Sequence, residues 1–247
     1  MRLKDKVAIV TGGGQGIGQG IALKFAEEGA DLLLFDLNPT TLQETAGAIQ
    51  ALGRKVVTVP GSVTRQEDVD RMVEVCLKEF GRIDILVNNA GIDRPATLLK
   101  YTEERWDQIM EVNLKGVFRC TQAVAQRMAE RRYGKIVNIS SDAGKTGFWG
   151  ETAYCAAKSG VIGLTRVSAL ELAKKGINVN AICPGLIDTA LSRTIPESLR
   201  QRMASEAPRG RVGTPRDIGN LAAFLASDEA DFITGQSISC DGGWIMY

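Results

Sequence analysis

Short apolar runs rich in branched side chains alternate along the whole chain with longer amphipathic stretches. The runs that predict strands cover residues 7–11, 32–35, 56–59, 85–87, 135–140, 177–183 and 236–239. The stretches that predict helices lie near 16–28, 40–52, 65–80, 102–131, 153–175 and 215–227. Continuous apolar strands separated by helices are typical of a parallel sheet covered on both faces. The alternation therefore predicts an α/β fold with one doubly wound, seven-stranded parallel sheet and helices on both faces.

The sequence shows no division into separate domains. No glycine- or serine-rich linker, repeat or low-complexity tract interrupts the 247 residues, so we expect one domain over 1–247. Residues 189–214 depart from the alternation and follow the sixth predicted strand. A long excursion at the end of a strand is either a disordered loop or a lid over a binding site. A short amphipathic part within it favours a substrate lid.

Charge and composition exclude several classes of protein. The 30 basic and 29 acidic residues leave a formal charge of +1, which predicts no nucleic-acid groove and no polybasic membrane patch. The first residues contain only four consecutive apolar side chains, too few for a signal-peptide core or a membrane span. The five cysteines are scattered, none forms a CxxC pair, and the chain has no histidine. We therefore expect a cytoplasmic protein with reduced thiols and no metal site.

The absence of histidine also limits how the chain can move protons. Every triad or dyad that uses imidazole as its base is excluded, so proton transfer requires another side chain. Tyr154 and Lys158 lie four residues apart on one face of a predicted helix, and Ser141 lies thirteen residues before the tyrosine. An ammonium group beside a phenol lowers the phenol pKa from about 10, so the pair predicts a tyrosine acid/base. A YxxxK pattern alone is more often an ordinary helix surface.

A glycine-rich segment between the first strand and the first helix predicts a dinucleotide site. The sequence TGGGQGIG at 11–18 fits TGxxxGxG through Thr11, Gly12, Gly16 and Gly18. Glycines there permit a tight turn and a close approach of the backbone to a pyrophosphate, whose charge faces the helix N-terminus. A plain glycine turn is the alternative. The strand before the segment and the helix after it favour the phosphate site.

Asp36 ends the second predicted strand, twenty residues beyond Gly16. A carboxylate at this point accepts hydrogen bonds from an adenosine ribose and repels a 2′-phosphate. No lysine or arginine occurs within 12–18 or 36–40 to neutralise such a phosphate. An ordinary exposed aspartate is the alternative, but together with the glycine turn Asp36 predicts NAD rather than NADP as the cofactor.

These motifs together resemble the short-chain dehydrogenase/reductase family over essentially the whole chain. Further matches are NNAG at 88–91, KIVNISS at 135–141, CPGLIDT at 183–189 and ITGQSISCDGG at 233–243. The resemblance implies a Rossmann-type sheet and an NAD(P)-dependent enzyme that acts on CH–OH donors. It also implies a homotetramer in which the helices near 102–131 and 153–175 pair with their copies. The four implied catalytic residues are Asn113, Ser141, Tyr154 and Lys158.

The resemblance also implies a role for each catalytic residue. The phenol of Tyr154 exchanges a proton with the substrate oxygen while hydride moves between carbon and the nicotinamide. Lys158 lowers the pKa of Tyr154 and binds the nicotinamide ribose. Ser141 hydrogen-bonds the substrate oxygen, and Asn113 anchors a water beside the lysine. The residues implied to contact the cofactor are Gly12, Gln15, Gly16, Ile17, Gly18, Asp36, Leu37, Ser62, Val63, Asn89, Ala90, Gly91, Tyr154, Lys158, Pro184, Gly185, Ile187 and Thr189.

One departure from the family pattern follows the third predicted strand. Many members carry an Asp-Val pair there that contacts adenine, whereas this chain has Ser62 and Val63. A serine hydroxyl can still hydrogen-bond adenine, so we expect a weaker contact at this position.

Two segments supply the side chains predicted to surround the substrate. Besides Ser141 and Tyr154 they are Asp142, Phe148, Trp149, Glu151, Leu186, Leu191, Ile195 and Leu199. The aromatic residues fit a core or a subunit interface equally well. Glu151 fits equally well as a pocket wall that repels substrate anions or as an acidic residue at the N-terminus of the helix that carries Tyr154.

The expected substrate is a small molecule, a secondary alcohol or its ketone. NAD-dependent oxidation of a polyol, diol or hydroxyacyl compound is the first interpretation. The alternative is reduction of a 3-oxoacyl thioester, although the resembled enzymes of that kind generally use NADPH, which Asp36 disfavours. A dinucleotide-binding regulator without catalysis is a third interpretation, because fold alone does not determine function.

Overall fold

Seven parallel strands form one sheet in the computed structural model, which describes residues 1–246 and leaves Tyr247 of the expected domain outside. The strand order is β3-β2-β1-β4-β5-β6-β7. The strands are β1 (Val7–Thr11), β2 (Asp31–Asp36), β3 (Val56–Pro60), β4 (Ile85–Asn88), β5 (Gly134–Ile139), β6 (Ile177–Pro184) and β7 (Ser237–Cys240). The predicted fold class is confirmed, and no predicted strand boundary is off by more than one residue.

Helices cover both faces of this sheet. They are α1 (Gly16–Glu27), α2 (Pro39–Ala51), α3 (Gln66–Phe80), α4 (Glu103–Met110), α5 (Gly116–Arg131), α6 (Thr152–Leu172), α7 (Glu197–Glu206) and α8 (Pro215–Leu225). Short 3₁₀ turns occupy Leu98–Lys100, Asp142–Gly144, Ala173–Lys175, Ser192–Thr194 and Asp228–Ala230. Within residues 1–246, no helix combines the length and the apolar character that a membrane crossing requires.

The core lies on both sides of the sheet because successive strand residues point to opposite faces. In β1, Val10 belongs to one core cluster together with Phe25 of α1, whereas Ile9 belongs to a second cluster together with Met72 of α3. All five residues of β1 are buried. This double coverage explains why the strands read as continuous apolar runs.

The order of the strands reverses between β1 and β4, which pair directly. At such a switch point the connections leave the sheet in opposite directions and open a crevice at the carboxyl ends of the strands. The turn after β1, the end of β2 and the residues after β4, β5 and β6 therefore meet at one edge. These are the segments that carry the motifs.

The helix predicted over 102–131 is interrupted. Between α4 and α5 lies a π turn, Glu111–Lys115, in which Gly116 N donates to Glu111 O five residues earlier. A single π turn inside a helix widens the backbone locally and is frequent at functional sites. Asn113 lies in this turn and is fully buried. Sequence periodicity cannot reveal the interruption, because the apolar pattern continues on both sides.

The 189–214 segment contains two short helical parts, Ser192–Thr194 and α7. Its ends lie close together, because Ile187 and Gly213 form an isolated parallel bridge and Gly213 N donates to Leu186 O at 2.9 Å. The segment therefore leaves the sheet and returns at nearly the same place.

Candidate active site

The turn after β1 requires glycine for two reasons. Gly12 and Gly16 have positive φ angles of 63° and 57°, which side-chain-bearing residues rarely adopt. A Cβ on Gly12 would lie 2.8 Å from Asn89 Nδ2 and 2.9 Å from the Cα of Ala90, and a Cβ on Gly18 would collide with the carbonyl oxygen of Gly12. The backbone of the turn thus lies directly against the start of α1 and the residues after β4.

Side chains from two other segments hold this turn. Thr11 Oγ1 accepts hydrogen bonds from Asn89 N at 3.0 Å and from Ala90 N at 3.2 Å. Asn89 Nδ2 donates to the carbonyl oxygens of Thr11 and Gly12, each at 3.0 Å, and Thr45 Oγ1 of α2 donates to Gly14 O at 3.0 Å. Hydrogen bonds within the chain therefore fix the shape of the turn.

Helix α1 begins at this turn with its first N–H groups uncapped. Gln15 holds the N-cap position, and its side chain makes no capping hydrogen bond. Uncapped N–H groups and the positive end of the helix dipole form an anion site. Thr189 faces the turn from the opposite side, since its Cγ2 lies 3.4 Å from where a Cβ on Gly16 would be.

Asp36 lies beside the glycine turn. Its Oδ2 accepts a hydrogen bond from Gly14 N at 3.1 Å, and its Oδ1 accepts one from Asn38 N at 3.2 Å. In the part of the chain that the structure describes, no lysine or arginine forms an ion pair with Asp36. The neighbouring Leu37 is 71% exposed. A carboxylate without a cationic partner thus borders the turn on the β2 side.

Lys158 is buried in α6 and reaches the end of β5. Its Nζ donates to Ile139 O at 2.8 Å and lies 5.5 Å from the centroid of the Tyr154 ring. Burial lowers the pKa of Lys158 to about 8, because the ammonium ion loses its hydration. Lys158 is therefore positively charged at neutral pH and close to its titration point.

Asn113 reaches the same place from the π turn. Its Nδ2 donates to Ile92 O and its Oδ1 accepts from Ile92 N, both at 2.8 Å. A Cβ on Gly91 would lie 3.4 Å from Asn113 Oδ1 and 3.7 Å from Lys158 Nζ. The asparagine thus fixes the loop after β4 at the point where that loop passes the lysine.

Ser141 follows β5 and faces Tyr154 at the start of α6. Ser141 Oγ accepts a hydrogen bond from Ala143 N at 3.2 Å, and a hydrogen bond with Ser141 lowers the pKa of Tyr154. Burial is the larger effect and raises the pKa of the phenol well above its ordinary value, and Asp93 and Glu151 raise it further. The adjacent Ser140 donates instead to the carbonyl oxygen of Lys158 at 2.8 Å, a structural contact.

The expectation of a lowered pKa for Tyr154 is therefore wrong. The phenol is more strongly affected by loss of water than by the ammonium group, which donates its hydrogen bond to the backbone of β5. Tyr154 is thus a neutral proton donor at physiological pH.

Comparisons with known proteins agree with this geometry. The family model described as Enoyl-(Acyl carrier protein) reductase matches residues 12–245. The chain is 44% identical over 246 residues to 3-oxoacyl-[acyl-carrier-protein] reductase FabG of Thermotoga maritima, covering 100% of both. It is 43% identical to (2S)-[(R)-hydroxy(phenyl)methyl]succinyl-CoA dehydrogenase subunit BbsD of Thauera aromatica, covering 100% of this chain and 99% of that protein.

A solved structure gives the same result. A short-chain type dehydrogenase/reductase from Mycobacterium marinum superposes with a TM-score of 0.95 at 33% identity, covering 99% of this chain and 97% of that one. The chain belongs to the short-chain dehydrogenase/reductase family. It is accordingly an oxidoreductase that acts on CH–OH donors with a nicotinamide dinucleotide.

The residues of this short-chain dehydrogenase/reductase fit such a cofactor. Glycine at 12 and 18 allows the turn to pack closely against its neighbours, and the N-terminus of α1 offers uncapped donors to a pyrophosphate. The carboxylate of Asp36 borders the turn, where an adenosine ribose would find acceptors for its hydroxyl groups. Lys158 offers an ammonium group at the far end of the crevice, beside Tyr154.

Several predicted cofactor contacts have other partners in the structure. Ser62 Oγ and Thr64 Oγ1 share a hydrogen bond of 2.8 Å, and the side chain of Val63 packs in the core against Gly116. Ile187 is buried and Ile17 packs against the core, so these two support the site through their backbone and packing. At the end of β6, Pro184 is buried and Gly185 packs against Asp241.

The predicted substrate residues do not form one wall. Trp149 is 89% exposed, so a core role for it is wrong. Leu191 and Leu199 are also exposed, whereas Leu186 lies at the base of the 189–214 segment. Glu151 is the N-cap residue of α6, yet its side chain makes no capping hydrogen bond. The helix-end interpretation of Glu151 is therefore not supported by a contact.

Sequence reasoning missed the partner of Glu151. The loop after β4 pairs with the segment before α6 through an Ala96–Glu151 bridge, and Ala96 N donates to Gly150 O at 2.8 Å. Burial, and a hydrogen bond with Asp93, raise the pKa of Glu151 to about 8. At neutral pH Glu151 is thus mainly protonated. Asp93 directly follows the NNAG motif, but nothing in its spacing marks it as a partner of Glu151.

Proposed function

We propose that this enzyme interconverts the 3-oxo and 3-hydroxy forms of an acyl thioester, with NAD(H) as its cofactor. Support for a thioester comes from the two relatives described above, whose names specify an acyl carrier protein and a CoA ester. The observation that carries the reaction type is the partly buried, neutral phenol of Tyr154 in contact with Ser141. Reduction of a ketone needs a proton donor at the substrate oxygen, and a neutral phenol is one.

Each catalytic side chain has one task in this proposal. The nicotinamide dinucleotide, when bound, supplies or accepts the hydride. Tyr154 Oη gives its proton to the substrate oxygen during reduction and takes it back during oxidation. Ser141 Oγ donates a hydrogen bond to the same oxygen and fixes its position.

Lys158 and Asn113 act behind the tyrosine. The ammonium group of Lys158 stabilises the negative charge that develops on Tyr154 Oη as its proton leaves. Asn113 holds Ile92 by two hydrogen bonds and so keeps the loop after β4 beside Lys158. We propose that a water in this region returns the proton to Tyr154, as the family resemblance implies.

The proposed preference for NAD rests on Asp36. A 2′-phosphate near its carboxylate would meet like charge, and no described lysine or arginine pairs with that carboxylate. An NAD ribose instead offers hydroxyl donors to the same oxygens. This assignment differs from the NADPH use that is general among 3-oxoacyl thioester reductases.

Oxidation of polyols or diols is a second candidate, favoured by the Asp93–Glu151 pair. Its unpaired oxygen, Glu151 Oε2, is buried and has no hydrogen-bond partner among residues 1–246. A substrate hydroxyl next to the reacting carbon would provide the missing donor. A thioester substrate would satisfy it only with an amide N–H or a hydroxyl of its own.

We also propose one domain with 189–214 as its lid, and a homotetramer. Phe118 of α5 and Leu170 of α6 are 45% and 82% exposed, which a partner subunit would reverse. Other apolar residues of these helices, Val117 and Val161, are buried within the chain itself. A monomer in light scattering at micromolar concentration would contradict the assembly.

The experiment that tests the function is a substrate and cofactor matrix. The purified enzyme is given 3-oxoacyl-CoA, 3-oxoacyl-carrier protein, 3-hydroxyacyl-CoA, polyols, diols and plain secondary alcohols, each with NAD(H) and NADP(H). Absorbance of the reduced cofactor gives kcat/KM. We expect the highest values for a thioester with NAD(H). A highest value for a polyol or diol supports the second candidate, and no turnover of any thioester refutes the first.

A further inference from the structure

The carboxyl groups of Asp142 and Asp241 meet behind the loop that carries Ser141. Asp142 follows the serine directly and is only 2% exposed. Both of its carboxyl oxygens are buried, and neither has a hydrogen-bond partner of ordinary geometry in residues 1–246. A Cβ on Gly185 would lie 3.1 Å from Asp142 Oδ2 and 2.8 Å from Asp241 Cβ. The absent side chain of Gly185 thus leaves just enough space for the two carboxyl groups.

The two carboxyl groups have different environments. Asp241 Oδ1 accepts a hydrogen bond from Gly243 N at 2.9 Å, and Asp241 Oδ2 accepts one from Ile245 N at 2.8 Å. Asp142 has no such backbone donors, and burial together with Asp241 raises the pKa of Asp142 to about 7, although Lys145 and Ser239 act in the opposite direction. Below neutral pH Asp142 is therefore protonated.

This pair connects three parts of the active site. The 3₁₀ turn Asp142–Gly144 packs on the catalytic helix, since a Cβ on Gly144 would lie 2.7 Å from the carbonyl carbon of Lys158. On the other side, Gly242 O accepts a hydrogen bond from Arg209 N at 3.1 Å. Arg209 lies in the returning part of the 189–214 segment. The residues after β7 thus contact both the serine loop and the proposed lid.

We propose that Asp142 is a positioning residue for Ser141: as a carboxylic acid it donates a hydrogen bond to Asp241 and so holds residues 240–245 and the end of the 189–214 segment against the serine loop. Loss of this one proton places two carboxylates against each other in a buried space. The residues after β7 then separate from the serine loop. The effect on turnover rests on the proposed function, whereas the contact itself does not.

Three titratable groups besides Asp241 face Asp142. Lys145 faces it from the same turn, Cys183 from β6 and Cys240 from the end of β7. Burial raises the pKa of both thiols, that of Cys240 to about 11, so they stay neutral. A carboxyl pKa raised by folding stabilises the fold at low pH, and this contribution is lost as the pH rises through about 7.

Hydrogen exchange of two backbone amides tests the contact without any substrate. The amides are those of Gly243 and Ile245, which donate to Asp241. After correction for intrinsic rates, we expect their protection in the wild type to fall roughly tenfold from pH 6 to pH 8. Asp142→Asn donates from an amide that does not titrate, so its protection stays constant. Equal protection of the wild type at both pH values overturns the proposal.

Turnover tests the positioning role. In the wild type, KM for the carbonyl substrate rises from pH 6 to pH 8, and this rise is absent in Asp142→Asn and retained in Glu67→Gln, an exposed control on α3. Asp241→Asn removes the carboxylate that would repel an ionised Asp142. The fall in amide protection and the rise in KM should then occur at lower pH in the variant than in the wild type, and this variant keeps the test valid if Asp142→Asn does not fold. Identical pH profiles of all variants refute the role. Absence of thioester turnover refutes only the proposed function, because exchange still reports the contact.

Discussion

The polar atoms that hold the glycine turn form hydrogen bonds with neighbouring segments of the chain. The region beside Tyr154 that contains Asp93, Trp149 and Glu151, here called the rim, differs, because it has a buried oxygen without a hydrogen-bond partner and an exposed apolar side chain. Thr11 and Asn89 are bonded on several sides. Glu151 Oε2 has no hydrogen-bond partner among residues 1–246, and Trp149 is 89% exposed. A site whose hydrogen bonds are all made within the protein suits a ligand that is the same in all relatives. A rim whose last hydrogen bond is made by the ligand suits a substrate that differs between relatives.

The two ends also differ in charge. The nucleotide end presents the single carboxylate of Asp36 to its ligand. The rim presents a carboxyl pair, Asp93 and Glu151, close enough to Tyr154 to raise the pKa of the phenol. In the proposed function, charge thus selects the cofactor at one end, and at the other end it raises the pKa of the phenol that donates the proton.

Tyr154→Phe should lower turnover strongly and leave cofactor binding nearly unchanged. It removes the proton donor, so we expect kcat to fall by at least about 100-fold, within the range of general acid catalysis. Binding of NAD, measured by calorimetry, and the thermal midpoint should stay nearly unchanged. Tyr101→Phe is the matched control, a nearby phenol that also feels Asp93 and Glu151. More than a few per cent of activity in Tyr154→Phe would show that another group donates the proton.

Lys158→Ala should affect both cofactor binding and turnover, because we expect the lysine to bind the nicotinamide ribose and to assist Tyr154. Loss of a hydrogen bond from a charged donor costs about 1.5–3 kcal/mol, so we expect NAD binding to weaken roughly 10- to 100-fold while turnover also falls. Lys135→Met is the control, a buried lysine whose Nζ donates to Asn178 Oδ1 at 2.7 Å. It should lower stability and leave the Kd for NAD unchanged. Unaltered NAD binding in Lys158→Ala would limit the lysine to the substrate end.

The pH dependence of NAD binding examines the same lysine without a mutation. The pKa of Lys158 is lowered from 10.5 to about 8, so the ammonium group is lost as the pH rises through 8. The Kd for NAD should therefore increase between pH 7 and pH 9. The unfolded chain keeps this proton up to about pH 10.5, so the cost of burying the charge is relieved over the same range and stability rises. A flat Kd profile would contradict the role of the charge.

Asp36→Ala tests whether the nucleotide end alone selects the cofactor. Like-charge repulsion and lost ribose hydrogen bonds amount to about 1–3 kcal/mol in favour of NAD, and the variant should lose most of this preference. The ratio of kcat/KM for NAD and NADP measures it. Asp31→Asn, at the other end of β2, is the control and should keep the ratio. A wild type that prefers NADP would overturn the assignment.

Glu151→Gln should have the smallest effect, and only above neutral pH. With a pKa of about 8, Glu151 is protonated at pH 7, and glutamine resembles a protonated glutamic acid. We expect less than about a threefold change in kcat/KM at pH 7, equivalent to well under 1 kcal/mol. At pH 9 the wild type has an ionised Glu151 close to Tyr154 and the variant does not, so their profiles diverge. Glu171→Gln, exposed on the same helix, should match the wild type throughout.

The fold was predictable because its signals are local and repeated. Strands that are buried on both faces, such as β1, are recognisable in the sequence as continuous apolar runs. Their alternation with helices restricts the sheet to a few possible topologies. The sequence also predicted the glycine turn, Asp36 and the Ser141, Tyr154 and Lys158 set as site residues, because each carries a residue type that its chemistry requires.

The rest depends on contacts between distant segments. Asp93 meets Glu151 only because the loop after β4 pairs with the segment before α6, and Asp142 meets Asp241 only because residues after β7 return to the serine loop. The pKa of Tyr154 was misjudged for a related reason. Helical spacing gives the distance to Lys158 but says nothing about how much water the fold removes from the phenol.

Because of the π turn Glu111–Lys115, the number of residues between α4 and α5 determines whether Asn113 faces Ile92 while α5 packs in the core. Each helical residue advances the side-chain direction by about 100°. Deleting one residue would convert the turn to regular α-helix and rotate everything on one side of the deletion by that angle. Either Asn113 would leave Ile92, or Cys120 and Val124 of α5 would leave the core. Single substitutions can alter this region gradually during evolution, whereas deletion of one residue would disrupt the active site and the core together.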